Sequence, residues 1–120
     1  MIDHISIRVA DYDKSKRFYA QALAPLGYTL LMESASGAGF RKEFIPDFWI
    51  KQGEPAPGTH IAFASADRAA VDAFYQAAMA AGATDNGPPG LRPHYHPSYY
   101  GAFVRDPDGY NIEAVCHKPE

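Results

Sequence analysis

The sequence predicts an α+β fold in which one βαβββ module is written twice, the two copies forming a curved mixed sheet around an open cavity. Three observations predict it: internal self-similarity at a constant spacing, a strand-then-helix opening in each copy, and a proline- and glycine-rich divider between them. Laid on itself at an offset of 56, the chain brings His4 onto His60, Ile5 onto Ile61, Ala10 onto Ala66, Asp11 onto Asp67, Phe18 onto Phe74, Tyr19 onto Tyr75 and Ala22 onto Ala78. A repeat of that length is one supersecondary unit copied, and it sets the architecture before any local motif is considered. Module one runs over about residues 1–53 and module two over about 58–118, within one domain of 120 residues.

Each copy opens on an alternating stretch, residues 4–9 and 60–65, as expected of a strand with two chemically different faces. A helix follows in each. Asp11 or Asp13 can cap the first and Asp67 the second by accepting from the free amides of the opening turn. The helix bodies, about 14–24 and 68–81, carry apolar and aromatic residues at helical spacing, and Gly27 and Gly82 stand where helices stop. Tyr12, Phe18, Tyr19, Phe74 and Tyr75 therefore read as packing aromatics. Three strands are expected after the first helix, at 28–32, 40–44 and 48–51, ended by the 53–58 divider. After the second helix come 84–85, then 99–105 and 111–117, the last two joined by the tight turn Asp106-Pro107-Asp108-Gly109. The segment 86–98 holds Pro88, Pro89, Pro93 and Pro97, too many for a central strand, and is expected to cross the cavity mouth.

Composition narrows the function classes. The chain is 47% hydrophobic and 21% charged, with a formal net charge of −3, so it offers no broad attraction to nucleic acid or to an anionic membrane. No apolar run approaches the roughly 20 residues that span a bilayer, and the start leads straight into a strand pattern without a signal-peptide layout, so residence in the cytoplasm is expected. Cys116, the lone cysteine, reads as a buried core thiol.

Strand alternation turns this layout into chemistry. In the first strand Ile5, Ile7 and Val9 form the face a helix covers, which leaves His4, Ser6 and Arg8 opposite. In the fifth, Ile61 and Phe63 are covered and His60, Ala62 and Ala64 face the other way. In the last, Ile112, Ala114 and Cys116 are covered, so Asn111, Glu113 and Val115 share the histidines' face. A pseudo-twofold axis between modules would bring His4 and His60 together with Glu113 beside them. Two neutral imidazoles and one carboxylate suit one divalent ion of iron, manganese, nickel or zinc, with positions left open for substrate or water.

These residues resemble the vicinal-oxygen-chelate superfamily, which includes glyoxalase I, extradiol dioxygenases, fosfomycin-resistance proteins and bleomycin-binding proteins. The resemblance rests on Asp3-His4-Ile5-Ser6-Ile7, Phe18-Tyr19, Thr59-His60-Ile61-Ala62-Phe63 and the closing stretch from Phe103 to Glu113. It implies paired βαβββ modules, a homodimer, and metal ligation by His4, His60 and Glu113. Two departures stand out. Glyoxalase-like members carry a fourth ligand late in the first module, where this chain has Trp49, read here as a wall of the substrate site. The extradiol signature has a tyrosine shortly before the Asp-Pro turn, where this chain has Phe103.

The segment from Leu91 to Tyr100 concentrates two histidines, three tyrosines and an arginine. His94, His96 and Tyr100 are the candidates for moving protons on a bound substrate. Arg92, or Arg8 on the cavity face, is the candidate for a carboxylate or phosphate, with Tyr95 and Tyr99 completing the substrate contacts. The expected function is thus a metal-dependent enzyme acting on a small oxygenated substrate. The alternative is a binding protein of the bleomycin-resistance type that sequesters a small molecule without metal chemistry.

Overall fold

The structure, a computed structural model, describes residues 1–119. Its element order is the expected duplication with one addition, a short strand at Gly90–Leu91 inside the segment 86–98 that was expected to be loop. Module one holds β1 (Ile5–Val9), α1 (Tyr12–Ala22), β2 (Thr29–Glu33), β3 (Gly37–Arg41) and β4 (Phe48–Gln52), with a 3-10 turn at Ala24–Leu26. Module two holds β5 (His60–Ala64), α2 (Arg68–Ala80), β6 (Thr84–Asp85), β7 (Gly90–Leu91), β8 (Tyr100–Arg105) and β9 (Asn111–Cys116).

The local reasons are those the sequence offers. Asp11 accepts from Lys14 N at 3.2 Å and Asp67 from Ala70 N at 2.8 Å, each satisfying an orphan amide of its helix's first turn. Gly27 (φ 85°) and Gly82 (φ 106°) take the left-handed conformation just past each helical segment, where a side chain would be strained. One strand is displaced from expectation: β3 occupies 37–41, not 40–44, and Phe44 and Ile45 are exposed in the turn that follows. The run Gly37-Ala38-Gly39 reads as loop by propensity, yet Gly39 is where Pro46 and the Trp49 indole press on the strand. A Cβ there would lie 2.7 Å from Pro46 and 3.0 Å from Trp49, so packing overrides the propensity.

The strands form two mixed sheets, ordered β1-β4-β3-β2 and β5-β9-β8-β6, with β7 also on β8. In each module the first strand pairs in parallel with the last, Ser6 opposite Trp49 and Ala62 opposite Glu113. Among the described residues no strand of one sheet pairs with a strand of the other. β1 and β5 are edge strands, and the groove between modules is lined by side chains, among them Ile5, Ile7, Ile61 and Tyr110.

What joins the modules is the core under the sheets. Phe48 meets Tyr19 at 5.0 Å within module one and Phe63 of module two at 5.2 Å, both edge-on, and Phe63 in turn meets Tyr28 at 5.4 Å. Edge-to-face geometry of this kind adds to the burial of each ring. The turn at Asp106 completes the joint: Tyr19 donates its hydroxyl proton to Asp106, the Tyr110 hydroxyl donates to the Arg8 carbonyl, and Ala10 N donates to Asp108 at 3.2 Å. Cys116 is buried, as expected of a core thiol. Among the described residues no helix is long and apolar enough to cross a membrane.

Candidate metal and substrate site

The open face of module two carries the densest polar chemistry in the molecule. His60 starts β5, and Glu113 lies mid-β9; their strands pair in parallel, so two residues of offset put both side chains on one face. His60 Nε2 meets Glu113 Oε1 at 2.8 Å. The imidazole is half exposed, whereas the carboxylate is 1% exposed. The Tyr99 hydroxyl donates to the other oxygen, Oε2. Burial, then the neighbouring carboxylate, push the Tyr99 hydroxyl well above its ordinary value, so it is held as a proton donor. Among the described residues no lysine or arginine forms an ion pair with Glu113. Each oxygen of this buried carboxylate is thus met by one side chain, Oε1 by an imidazole and Oε2 by a phenol.

Behind Tyr99 stands a pair of histidines. His96 Nε2 and His117 Nδ1 are 2.6 Å apart, their rings are stacked at 4.8 Å, and both rings meet Tyr99 edge-on at 5.5 and 5.2 Å. Ser98 N donates to His96 Nδ1 at 3.0 Å, which leaves His96 Nε2 as the nitrogen that faces His117. His117 lies outside the candidates drawn from the sequence. Alternation held the signal, because residues 113, 115 and 117 fall on one side of β9.

The other candidates separate. Tyr95 is exposed and packs its ring between His94 at 4.2 Å and Tyr99 at 4.8 Å. Arg92 lies over the Phe103 ring at 5.4 Å, and Phe103 in turn lies 6.2 Å from the His60 ring, so one phenyl group stands between the arginine and the histidine. Tyr100 sits on the opposite face: its hydroxyl donates to Asp72 of α2 at 2.6 Å, and Arg68 covers its ring. Parity along β8 explains this, because Tyr100, Ala102 and Val104 face the helix while Gly101 and Phe103 face the cavity. Arg8 is drawn to the seam between modules, where its Nε donates to the Glu54 carbonyl at 3.1 Å.

Module one repeats the frame with other side chains. His4 precedes β1, is exposed, and meets the adjacent Asp3 at 2.7 Å. The residue in the register position of Glu113 is Trp49, and the one in the position of Phe103 is Gly39. Trp49 and His4 line a groove of about 380 Å³ with Met32, Ile45, Pro46 and Lys51. His60 lines a different one, of about 460 Å³, with Ile2, Asp3 and Phe63. The structure therefore brings His60 and Glu113 together and leaves His4 with Asp3. Among the described residues, no three His, Cys, Asp or Glu side chains are gathered as the ligands of one ion.

Residues 1–114 match the family model of the Glyoxalase/Bleomycin resistance protein/Dioxygenase superfamily. Among solved structures, a glyoxalase/bleomycin resistance protein from Albidiferax ferrireducens T118 is 31% identical, with a TM-score of 0.82, over 96% of this chain and 97% of that one. A glyoxalase/bleomycin resistance protein/dioxygenase family enzyme from Burkholderia phytofirmans PsJN (17% identity, TM-score 0.75, 98% of each chain) shares the fold. So does TioX from Micromonospora sp. ML1 (19% identity, TM-score 0.70, 96% of this chain and 94% of that one). No curated protein matches the chain.

Proposed function

The chain belongs to the glyoxalase/bleomycin resistance protein/dioxygenase superfamily, and on that premise we propose that it is a metal-dependent enzyme acting on a small oxygenated substrate. The observation that carries this reading is Glu113: a buried carboxylate on the open face, oriented by His60 and Tyr99 and lacking any ion pair with lysine or arginine among the described residues. In this reading His60 and Glu113 are two ligands of one divalent ion of iron, manganese, nickel or zinc, while His4, the third ligand expected from the sequence, stands with Asp3 and is not gathered with them among the described residues. Such an ion, when bound, supplies Lewis-acid stabilisation of an enolate- or catecholate-like anion.

The chain's own residues do the rest. Tyr99 holds Glu113 in one orientation, the part an outer-shell partner plays at a ligating carboxylate. Phe103 gives the cavity an apolar wall beside His60, and Trp49 gives one in module one. His94, which lines the pocket against Phe103, and His96, which stacks on His117, are the groups assigned to exchange a proton with substrate. The family resemblance further supports a homodimer, and the composition supports residence in the cytoplasm.

The test is the metal content of protein purified without chelator or affinity-tag metal, repeated on Glu113→Ala. About one ion per chain, lost in the variant, is the expected result. No metal, and no uptake on adding these ions, would overturn the enzyme reading in favour of a sequestering protein for aromatic ligands.

A further inference from the structure

A second pocket opens on the far side of Phe103 from His60. It measures about 290 Å³ and is lined by Asn86, Gly87, Arg92, His94, Tyr95, Phe103 and Asn111. Its lining is mostly polar, and its one full charge is a cation. Arg92 Nη2 donates to the Pro88 carbonyl at 2.7 Å, and the guanidinium lies over the Phe103 ring. Among the described residues it forms no ion pair with a carboxylate. A half-buried guanidinium with one carbonyl acceptor retains several N–H donors and its whole charge. In a chain of net charge −3 this is not a broad basic surface but a single placed cation.

The backbone around it is fixed. Arg92 N donates to the Tyr99 carbonyl at 2.7 Å, the Arg92 carbonyl accepts from Tyr95 N at 3.0 Å, and Phe103 N donates to the Gly87 carbonyl at 2.8 Å. Two glycines leave the guanidinium its room: a Cβ at Gly87 would lie 3.2 Å from Nη2, and one at Gly90 3.2 Å from Nη1. Across the pocket Asn86 Nδ2 donates to Asn111 Oδ1 at 3.2 Å, which leaves the remaining amide group of Asn111 as a further donor. Asn111 is the register partner of His60, so this pocket and the His60–Glu113 pair share one strand face.

We infer that Arg92, Asn111 and His94 form an anion subsite, and that the substrate carries a carboxylate or phosphate which docks there with its oxygenated end beyond Phe103 at His60 and Glu113. The anion subsite stands on its own geometry; the placement of the oxygenated end rests on the function proposed above. A planar carboxylate fits the guanidinium fork in bidentate fashion, and a phosphate offers the same acceptors in tetrahedral array.

The experiment titrates the full-length protein with sodium benzoate and, separately, with inorganic phosphate, following backbone amide and arginine Nε–H resonances by NMR. Saturable shifts centred on Gly87, Arg92, His94 and Asn111 are expected. Arg92→Gln should weaken binding roughly tenfold or more, as loss of a charged bidentate donor does, and Gly90→Ala should weaken it in the same direction by displacing the guanidinium. Glu113→Ala should keep benzoate binding, so failure of the metal reading and failure of this one are separable. Tighter benzoate assigns a carboxylate substrate and tighter phosphate a phosphorylated one. Absence of saturable shifts with either probe, shifts centred on Arg8 and Lys51, or unchanged affinity in Arg92→Gln would overturn the subsite.

Discussion

The two modules set the same backbone frame to different ends. In module two the register position on the last strand holds Glu113, faced by His60 and Tyr99; in module one it holds Trp49, which leans on Gly39 and Pro46. His60 has a carboxylate to bind, whereas His4 has only its neighbour Asp3 among the acids. The two copies thus share the fold and the histidine but differ at one register position, a carboxylate in module two and an apolar wall in module one. Function is carried by the side chains at equivalent register positions, not by the frame that supplies them.

The largest effect should come from breaking the polar copy. His60→Ala and Glu113→Gln are each expected to lower affinity for manganese or zinc by more than about 100-fold, beyond what loss of an outer-shell partner costs, while far-ultraviolet circular dichroism stays as in the wild type. Trp49→Phe, at the equivalent site, should leave that affinity within about threefold, since no ligand is touched. Equal losses in the two modules, read by calorimetric titration, would erase the asymmetry.

Tyr99→Phe sharpens the same comparison. It removes the hydroxyl from Glu113 Oε2 and keeps the ring against His96 and His117, so a fall of roughly 10- to 100-fold in metal affinity is expected, with little change in melting temperature. Gly101→Ala should act in the same sense, because its Cβ would lie 3.2 Å from the Tyr99 ring and 3.3 Å from Glu113 Oε2.

Gly39→Ala, by contrast, should act on the fold. Its Cβ would lie 2.7 Å from Pro46, and overpacking of that kind costs about 1–3 kcal/mol, measurable by urea unfolding. A Gly39 variant as stable as the wild type would mean that Trp49 and Pro46 yield freely.

The smallest effect concerns the joint between modules. Burial raises the Asp106 carboxyl above its ordinary 3.8, against the hydrogen bonds from Tyr19 and two backbone amides. The folded state therefore holds that proton more tightly than the unfolded state does. Stability from this group is fully present below pH 3.8 and is lost as pH rises through the raised folded value. Asp106→Asn keeps the shape without the titration, so the wild type should lose ground to the variant, by about 1 kcal/mol or less, across that window. Urea midpoints at pH 3 and pH 6 would show it.

Much of this was legible in the sequence, and where it was not the reasons are physical. The offset between His4 and His60 announced the duplication, and strand parity put Glu113 and His60 on one face because a period of two is rigid. Tyr100 was read as a proton-moving candidate because strand parity was not carried into the tyrosine-rich loop, where it places Tyr100 on the helix side against Asp72; carried past the end of β9, it places His117 on the side of Glu113. The position of β3 was hidden by Gly37 and Gly39, since a glycine that makes room for tryptophan looks like a glycine that makes a turn. The pairing of His4 with its own neighbour Asp3 is local, but that His4 stays apart from Glu113, and that Arg92 lies over Phe103, depend on distances between side chains that no strand period encodes.

The His60–Glu113 pair of module two, the cation site proposed above, has Trp49 in the place of its carboxylate in module one. The most direct test follows histidine side-chain resonances by NMR while substoichiometric manganese is added to the wild type and to Glu113→Gln. The account predicts that His60 broadens first and that the broadening disappears in the variant. Broadening that centres on His96 and His117, or that persists at His60 without Glu113, would contradict it.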